Sequence, residues 1–368
     1  MNKHASRAVI SSELLISLPS VVRIVDNLLE RGFLRFSGEM ENSGGRKRPL
    51  IELNYEQNIF MGVMLSANAI NACIFDFSGN LIRSESFPFF ADNLDRSLNV
   101  LYTVVEDLLA TVKTYGGFFR GISVSVPGTV KHATGEVILA PSINWRDVPL
   151  KVLLKEHFDT AIIVENDATL AILAELWHGF GKQCFNLVLL EIGMGLGGGI
   201  IIDGVIYRGA TDTAGEIGHI VFENKKFSSV QAMFGPAEMD IAGIGLAQKV
   251  RREKRAGLKG TENDIELVKK LFGAFYAGEE WTYPIIETFV DSLAMAVIAV
   301  DAIINPEIIV LRGVVADLAR GLIVKIKDRI GAGIKLEISQ VENFAEMLGG
   351  AVNLIYEALD YCCFRSMR

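Results

Sequence analysis

The chain has 368 residues, half of them hydrophobic, and a formal net charge of −8. That length and apolar content suffice for two or three domains with large cores, and the acidic balance excludes nucleic-acid binding over the whole surface. The charge is uneven, however: residues 1–50 hold eight Lys/Arg against five Asp/Glu, so a small basic head sits on an acidic body.

The first twelve residues are polar and mixed, with no leader pattern. Ser6 can cap a short helix running to Leu15. A second helix is capped by Ser17, carries Pro19 in its first turn and stops at Gly32. Within it Val21, Ile24, Val25, Leu28 and Leu29 recur at helical spacing as one buried stripe, and Ser20, Arg23 and Asn27 fall off it. The stretch "FLRFSGEMENSGGRKRPLIEL" then reads as a β-hairpin with Arg46, Lys47 and Arg48 at its tip. Helix, turn, helix and basic hairpin is the order of a winged helix-turn-helix, with one helix for the major groove and a wing for phosphates. Ser20, Arg23, Asn27, Arg46, Lys47 and Arg48 are therefore the expected DNA contacts. Such domains have a further helix before the pair, so the expectation is a head (1–55) lacking its first helix.

The body reads as two similar halves. Residues 59–87 read strand, Asn turn, strand, Gly-Asn turn, strand, and residues 185–207 repeat the pattern with a glycine-rich first turn. Residues 121–126, 162–164 and 308–311 look like buried strands. Residues 98–115, 168–178 and 349–363 look like helices. The apolar run 293–311 is broken by Asp301, Asn305, Pro306 and Glu307, so it reads as helix, turn and strand rather than a membrane span. Duplicated α/β halves predict a ligand cleft between them. Glu238 to Phe275 reads as helices, and "RREKRAGLKGTENDIE" as a solvated loop. Four cysteines form no CxxC pair, which fits free thiols in a cytoplasmic protein.

Three segments, "VENDATLAILAE", "GMGLGGGIIIDGVIYRGATDTAGEIGH" and "INWRDVPL", resemble the ROK family of bacterial sugar kinases and sugar-responsive repressors. The "SGGRKRPLIELN" wing resembles that of its repressor branch. The resemblance implies an α/β two-lobed, actin-like (ribonuclease-H-like) sugar-kinase fold behind the winged head. The expected lobes are 56–168 plus 350–368 and 169–349. It further implies that Asn166, Asp167, Glu216, His219 and Glu238 bind sugar, Asp167 being the base in kinases, with Ser142 standing where Asn is usual. Taken without the family, Asn166-Asp167 is more simply a helix cap after a strand.

The phosphate side departs from the kinase pattern. Where the family's kinases carry an Asp, two glycines and a Thr, this chain has Met64, Ser66, Ala67 and Asn68. A thioether does not organise Mg²⁺, which wants oxygen. Met194 replaces a Thr in the glycine loop, and Arg312 stands at a usual nucleotide-side glycine. The glycines of 193–199 then read as a tight turn kept for close packing. The zinc cysteines of the family read Ser229, Gln231 and Pro236 here, which leaves His219 alone and Glu238 without its usual support. The sequence thus predicts a sugar-responsive regulator without cofactor or metal. It would bind operator DNA as a homodimer or higher homo-oligomer. A sugar kinase using Asp167 as base is the alternative.

Overall fold

The computed structural model describes residues 4–41, 47–89, 93–222, 234–253, 257–258, 260–341 and 344–358. In the head, helix α1 (Arg7–Leu14) is capped by the Ser6 hydroxyl and ends at Leu15 in the left-handed region, φ 56°. Helix α2 (Leu18–Glu30) follows a bend of 120°, with Ser17 accepting from the Ser20 amide and Gly32 leaving at φ 73°. Two helices at such an angle across a three-residue turn have helix-turn-helix geometry. The buried stripe of α2 is narrower than the spacing suggests: Val21 and Val25 are buried with Ile51, and Leu29 packs beside them, but Ile24 is 46% exposed. Among the described residues α1 and β1 make the main contacts with α2, and Arg23, Ile24 and Asn27 are exposed. Strands β1 (Leu34–Glu41) and β2 (Arg48–Leu53) pair antiparallel as expected.

The head docks on the N-terminal ends of body strands. Arg120 lays its guanidinium 3.9 Å from the Phe33 ring centroid, donates to the Arg31 carbonyl at 2.6 Å and hydrogen-bonds Asn58. The side-chain amides of Asn54 and Asn58 both donate to the Gly32 carbonyl.

Strands β3 (Asn58–Leu65), β4 (Ala69–Asp76) and β5 (Leu81–Pro88) form an antiparallel meander. Helix α3 (Leu94–Tyr115), capped by Asn93, returns the chain to β6 (Phe118–Val126), parallel to β3. A small antiparallel sheet of β7 (Thr129–Lys131), β8 (Glu136–Ala140) and β9 (Trp145–Val148) follows. Helix α4 (Leu150–His157) then leads to β10 (Ile162–Asn166), parallel to β6. The sheet order is β10-β6-β3-β4-β5.

Helix α5 (Asp167–His178) opens the second half, whose meander is β11 (Leu187–Ile192), β12 (Leu196–Ile202) and β13 (Val205–Ile206). Helices α6 (Glu238–Ile241), α7 (Gly243–Arg252), α8 (Asp264–Tyr276) and α9 (Tyr283–Ile304) follow. Asn305 ends α9 at φ 49°, and β14 (Ile308–Arg312) runs parallel to β11, so the long apolar run resolves into helix, turn and strand. Helices α10 (Val314–Leu318) and α11 (Ile323–Ile330) precede β15 (Leu336–Ile338), parallel to β14. The order β13-β12-β11-β14-β15 repeats the first sheet: a three-strand meander flanked by two parallel strands. No single described helix is long and apolar enough to cross a membrane.

Helix α12 (Ala345–Ala358) packs on β3 and β6, α5 packs on β11 and β12, and the two helices lie against each other. Their approach needs glycine: a Cβ at Gly349 would overlap the Leu170 carbonyl, and one at Gly350 would overlap the Ser123 hydroxyl. The C-terminal ends of the parallel strands therefore face a common cleft across this helix pair, where ligands of α/β sheets collect.

Candidate functional site

Strand β10 delivers Asn166 to the start of α5. Its carbonyl oxygen accepts from the Thr169 amide at 3.0 Å, so it caps the helix. Its amide nitrogen donates to the Gly128 carbonyl and to Asp167 Oδ1, both at 3.0 Å. Asp167 Oδ1 also accepts from the Ala168 amide at 2.8 Å. Burial, reinforced by the neighbouring carboxylates of Glu191, Glu346 and Glu216, pushes the Asp167 carboxyl up to about 7. Near neutrality such a group is shared between donor and acceptor forms, which suits a partner made of hydroxyls.

The second half faces it with two more carboxyls. Glu216 precedes the 3-10 turn Ile217–His219 and accepts from the Thr129 hydroxyl at 3.4 Å. Burial and the Glu238 carboxylate raise its pKa. Glu238 begins α6. One of its oxygens accepts from the Leu196 amide at 3.1 Å and the other from the Gly235 amide at 3.2 Å. Burial raises Glu238 and lowers His219. Asn166, Asp167, Glu216 and Glu238 thus converge, with His219 three residues past Glu216. Ser142 is exposed on the 3-10 turn Pro141–Ile143, and the hydrogen bonds that join this cluster do not include it.

Behind the cluster lies a cavity of about 760 Å³, lined in part by Met64, Asn71, Arg312, Ser339 and Phe344. Met64 and Phe344 pack there against the buried cluster of Cys73, Phe75 and Met347. Arg312 donates to Glu191 at 2.7 Å and to Glu346 at 2.6 Å, which joins β14, β11 and α12. These two carboxylates raise the pKa of Arg312 well above its ordinary value, against the opposing effect of burial.

The expected tight turn over 193–199 is shorter than that: residues 193–195 turn between β11 and β12, and Gly197, Gly198 and Gly199 already belong to β12. Most of the segment is a packing surface. A Cβ at Gly199 would sit 2.6 Å from Ile172 and 2.7 Å from the Ala168 carbonyl, both on α5. A Cβ at Gly198 would sit 2.7 Å from Ile217, and one at Gly195 would sit 3.0 Å from Glu238. Only Gly193 of this segment faces open space.

The ROK family model matches residues 60–335. The chain belongs to the ROK family. It is 24% identical to a xylose repressor of Caldicellulosiruptor bescii, covering 98% of this chain and 94% of that one. It is 27% identical to a glucokinase of Halalkalibacterium halodurans, covering 79% and 93%. The crystal structure of a ROK family transcriptional regulator, a homologue of the E. coli MLC protein, superposes with a TM-score of 0.81 at 23% identity. That match covers 96% of this chain and 92% of that one. The shared architecture is the ROK sugar-kinase fold, as the motifs imply.

Other ROK expectations can be placed on this frame. The zinc positions do not fit a metal: Pro236 is no ligand, Ser229 and Gln231 lie outside the described residues, and among the described residues no three His, Cys, Asp or Glu form a metal site. Glu238 is held instead by the two backbone amides, and the Ala237 amide donates to the Ile220 carbonyl at 3.2 Å. On the head, Arg23 and Asn27 are exposed one helical turn apart. Ser20 is half-buried, with its hydroxyl 2.8 Å from that of Ser17. Lys47 and Arg48 are exposed, and Arg46 lies outside the described residues.

Sequence reading missed the groups around the site residues: Gly128 and Thr129, which bond to Asn166 and Glu216, and Glu191 and Glu346, which pair with Arg312 and repel Asp167. Glu191 had a signal, a charge next to the end of an otherwise apolar strand. Thr129 and Gly128 had none, because their partners lie far along the chain.

Proposed function

We propose that the protein is a sugar-responsive transcriptional regulator, most simply a repressor. The head binds operator DNA through Ser20, Arg23, Asn27 and the wing residues Arg46, Lys47 and Arg48. The cleft binds a sugar through Asn166, Asp167, Glu216, His219 and Glu238, with Ser142 at the margin. The head is 1–55, and the lobes are 56–168 plus 350–368 and 169–349. Two heads in a homodimer match two operator half-sites. The carrying observation is the contrast within one cleft. Hydroxyl-binding groups converge on one side. On the other, Met64 sits in an apolar patch and Arg312 is already paired with two carboxylates. Neither Met64 nor the paired Arg312 recommends that side for Mg²⁺-nucleotide, so no phosphoryl transfer is assigned.

The test is a melting panel of xylose, glucose, N-acetylglucosamine and their phosphates, each with and without Mg-ATP, followed by operator binding. A sugar at 100 times its dissociation constant stabilises by roughly 2.7 kcal/mol. A shift from sugar alone, together with a change in operator affinity, supports the regulator. Replacing Lys47 and Arg48 with Ala removes two cations from each head and should lower the salt slope of dimer binding to the operator by about 4.

One observation favours a sugar kinase instead. A carboxyl near 7 at Asp167 is also what a general base requires. Sugar-dependent ADP release that is lost in Asp167→Asn would establish that reading.

A further inference from the structure

Three contacts cross the cleft beside the carboxylate cluster, and all start from the loop that follows β13. Arg208 donates to Glu165 through Nη2 at 2.9 Å and Nε at 3.2 Å. Asp212 accepts from the His132 amide at 3.2 Å. Glu216 accepts from Thr129. The receiving groups belong to β7, its following turn and the C-terminal end of strand β10. Glu165 is almost wholly buried, and it also accepts from the His132 ring at 3.0 Å and from the Asn166 amide at 3.1 Å. Asp212 sits at φ 58°, in the left-handed region that Asp adopts more readily than most residues with a Cβ.

The covalent layout gives these contacts a purpose. Glu165 directly precedes Asn166 and Asp167. Arg208 and Asp212 lie on the same loop as Glu216 and His219. The loop closes on itself through the Ala214 amide and the Arg208 carbonyl at 3.1 Å. One ion pair therefore fixes both halves of the sugar cluster relative to each other.

We infer that Arg208 and Asp212 are positioning residues for sugar binding: by gripping Glu165 and the His132 amide they set Glu216 and His219 opposite Asn166 and Asp167. This rests on the proposed sugar reading of the cleft. Neither residue needs to touch the ligand. Removing the grip leaves a buried carboxylate short of its cation and frees the loop to sample positions from which Glu216 does not meet the same hydroxyls.

The experiment has two arms. Hydrogen–deuterium exchange on the sugar-free full chain compares wild type with Arg208→Ala. Exchange across 209–219 should rise roughly tenfold while α3 stays unchanged. Calorimetric titration with xylose and with N-acetylglucosamine then compares wild type, Arg208→Ala, Arg208→Lys and Asp212→Gly. The Kd should rise at least about tenfold in Arg208→Ala and recover in part in Arg208→Lys, which keeps a cation at Glu165. Asp212→Gly keeps the backbone conformation accessible and removes only the carboxylate that takes the His132 amide, so it should weaken binding with little loss of overall stability. In Glu165→Gln the further loss from Arg208→Ala should be small, because the two act as a unit. Unchanged exchange in Arg208→Ala overturns the inference, as does an unchanged Kd with raised exchange. If wild type binds neither sugar, the sugar reading fails for these ligands, and the exchange arm still decides whether Arg208 holds the loop.

Discussion

The two sides of the cleft are built from duplicated halves, yet they carry opposite chemistry. On the side proposed to bind sugar, carboxyls and an amide are held largely by backbone partners. On the far side, Arg312 is paired through its terminal nitrogens with Glu191 and Glu346, while its buried Nε has no partner among the described residues. Both sides contain buried charge. What differs is whether that charge faces an opening or another side chain. A fold therefore leaves the function open until the pairing of each charged group has been traced.

The largest expected effect breaks the paired side. Arg312→Ala leaves Glu191 and Glu346 buried together without their cation, and should cost about 3–5 kcal/mol in urea unfolding at pH 8. The cost should shrink toward pH 5. Burial already raises Glu191 above the ordinary carboxylate range, and loss of Arg312 would raise it further. A raised carboxyl contributes its stability at acid pH and loses it as pH climbs through its folded value. A loss below about 1 kcal/mol at pH 8 would mean that water in the cavity already solvates the carboxylates. The arginine would then not be what closes that side.

Asp167→Asn probes the open side. Folded Asp167 titrates near 7 against 3.8 for the free side chain, so its protonated form is the one that the fold favours. That contribution is complete below pH 3.8 and is lost as pH rises through about 7. Asn mimics the neutral acid without ionising. The variant should therefore melt above wild type at pH 8 by the equivalent of ~1–3 kcal/mol, match it near pH 4, and lose the sugar-induced shift. Lower stability at pH 8 would show that the fold uses the ionised form.

The contrast between the sides was only partly legible in the sequence. The meanders were legible because Asn and Gly turns punctuate apolar strands, and Asn166 because a polar cap after a buried strand is a local signal. The departures at Met64 and Arg312 were visible as residue types, but the fate of the arginine was not. Its partners stand 121 and 34 residues away in sequence. The grip on Glu165 spans 43 residues. Ile24 was misread because periodicity shows which residues share a face, not whether anything covers it. Long-range pairing of charged groups has no period to read.

The smallest effects sharpen the comparison inside the glycine-rich segment 193–199, a turn that runs into β12 and borders both sides. None of its glycines has positive φ, so backbone conformation does not demand glycine there. Space does at one end: Gly199→Ala pushes a methyl group to within 2.6 Å of Ile172 on α5. It should cost roughly 1–3 kcal/mol, since a packed helix yields little. Gly193 has no atom within 4 Å of the same position, so Gly193→Ala should stay within about 0.5 kcal/mol of wild type and leave the sugar-induced melting shift intact. The pair separates two origins for the motif. If the loop is kept for helix packing, the cost falls on Gly199 alone. If it still receives a phosphate, Gly193→Ala would abolish an Mg-ATP-dependent shift in melting while leaving unliganded stability untouched, and the far side of the cleft would have to be counted as open after all.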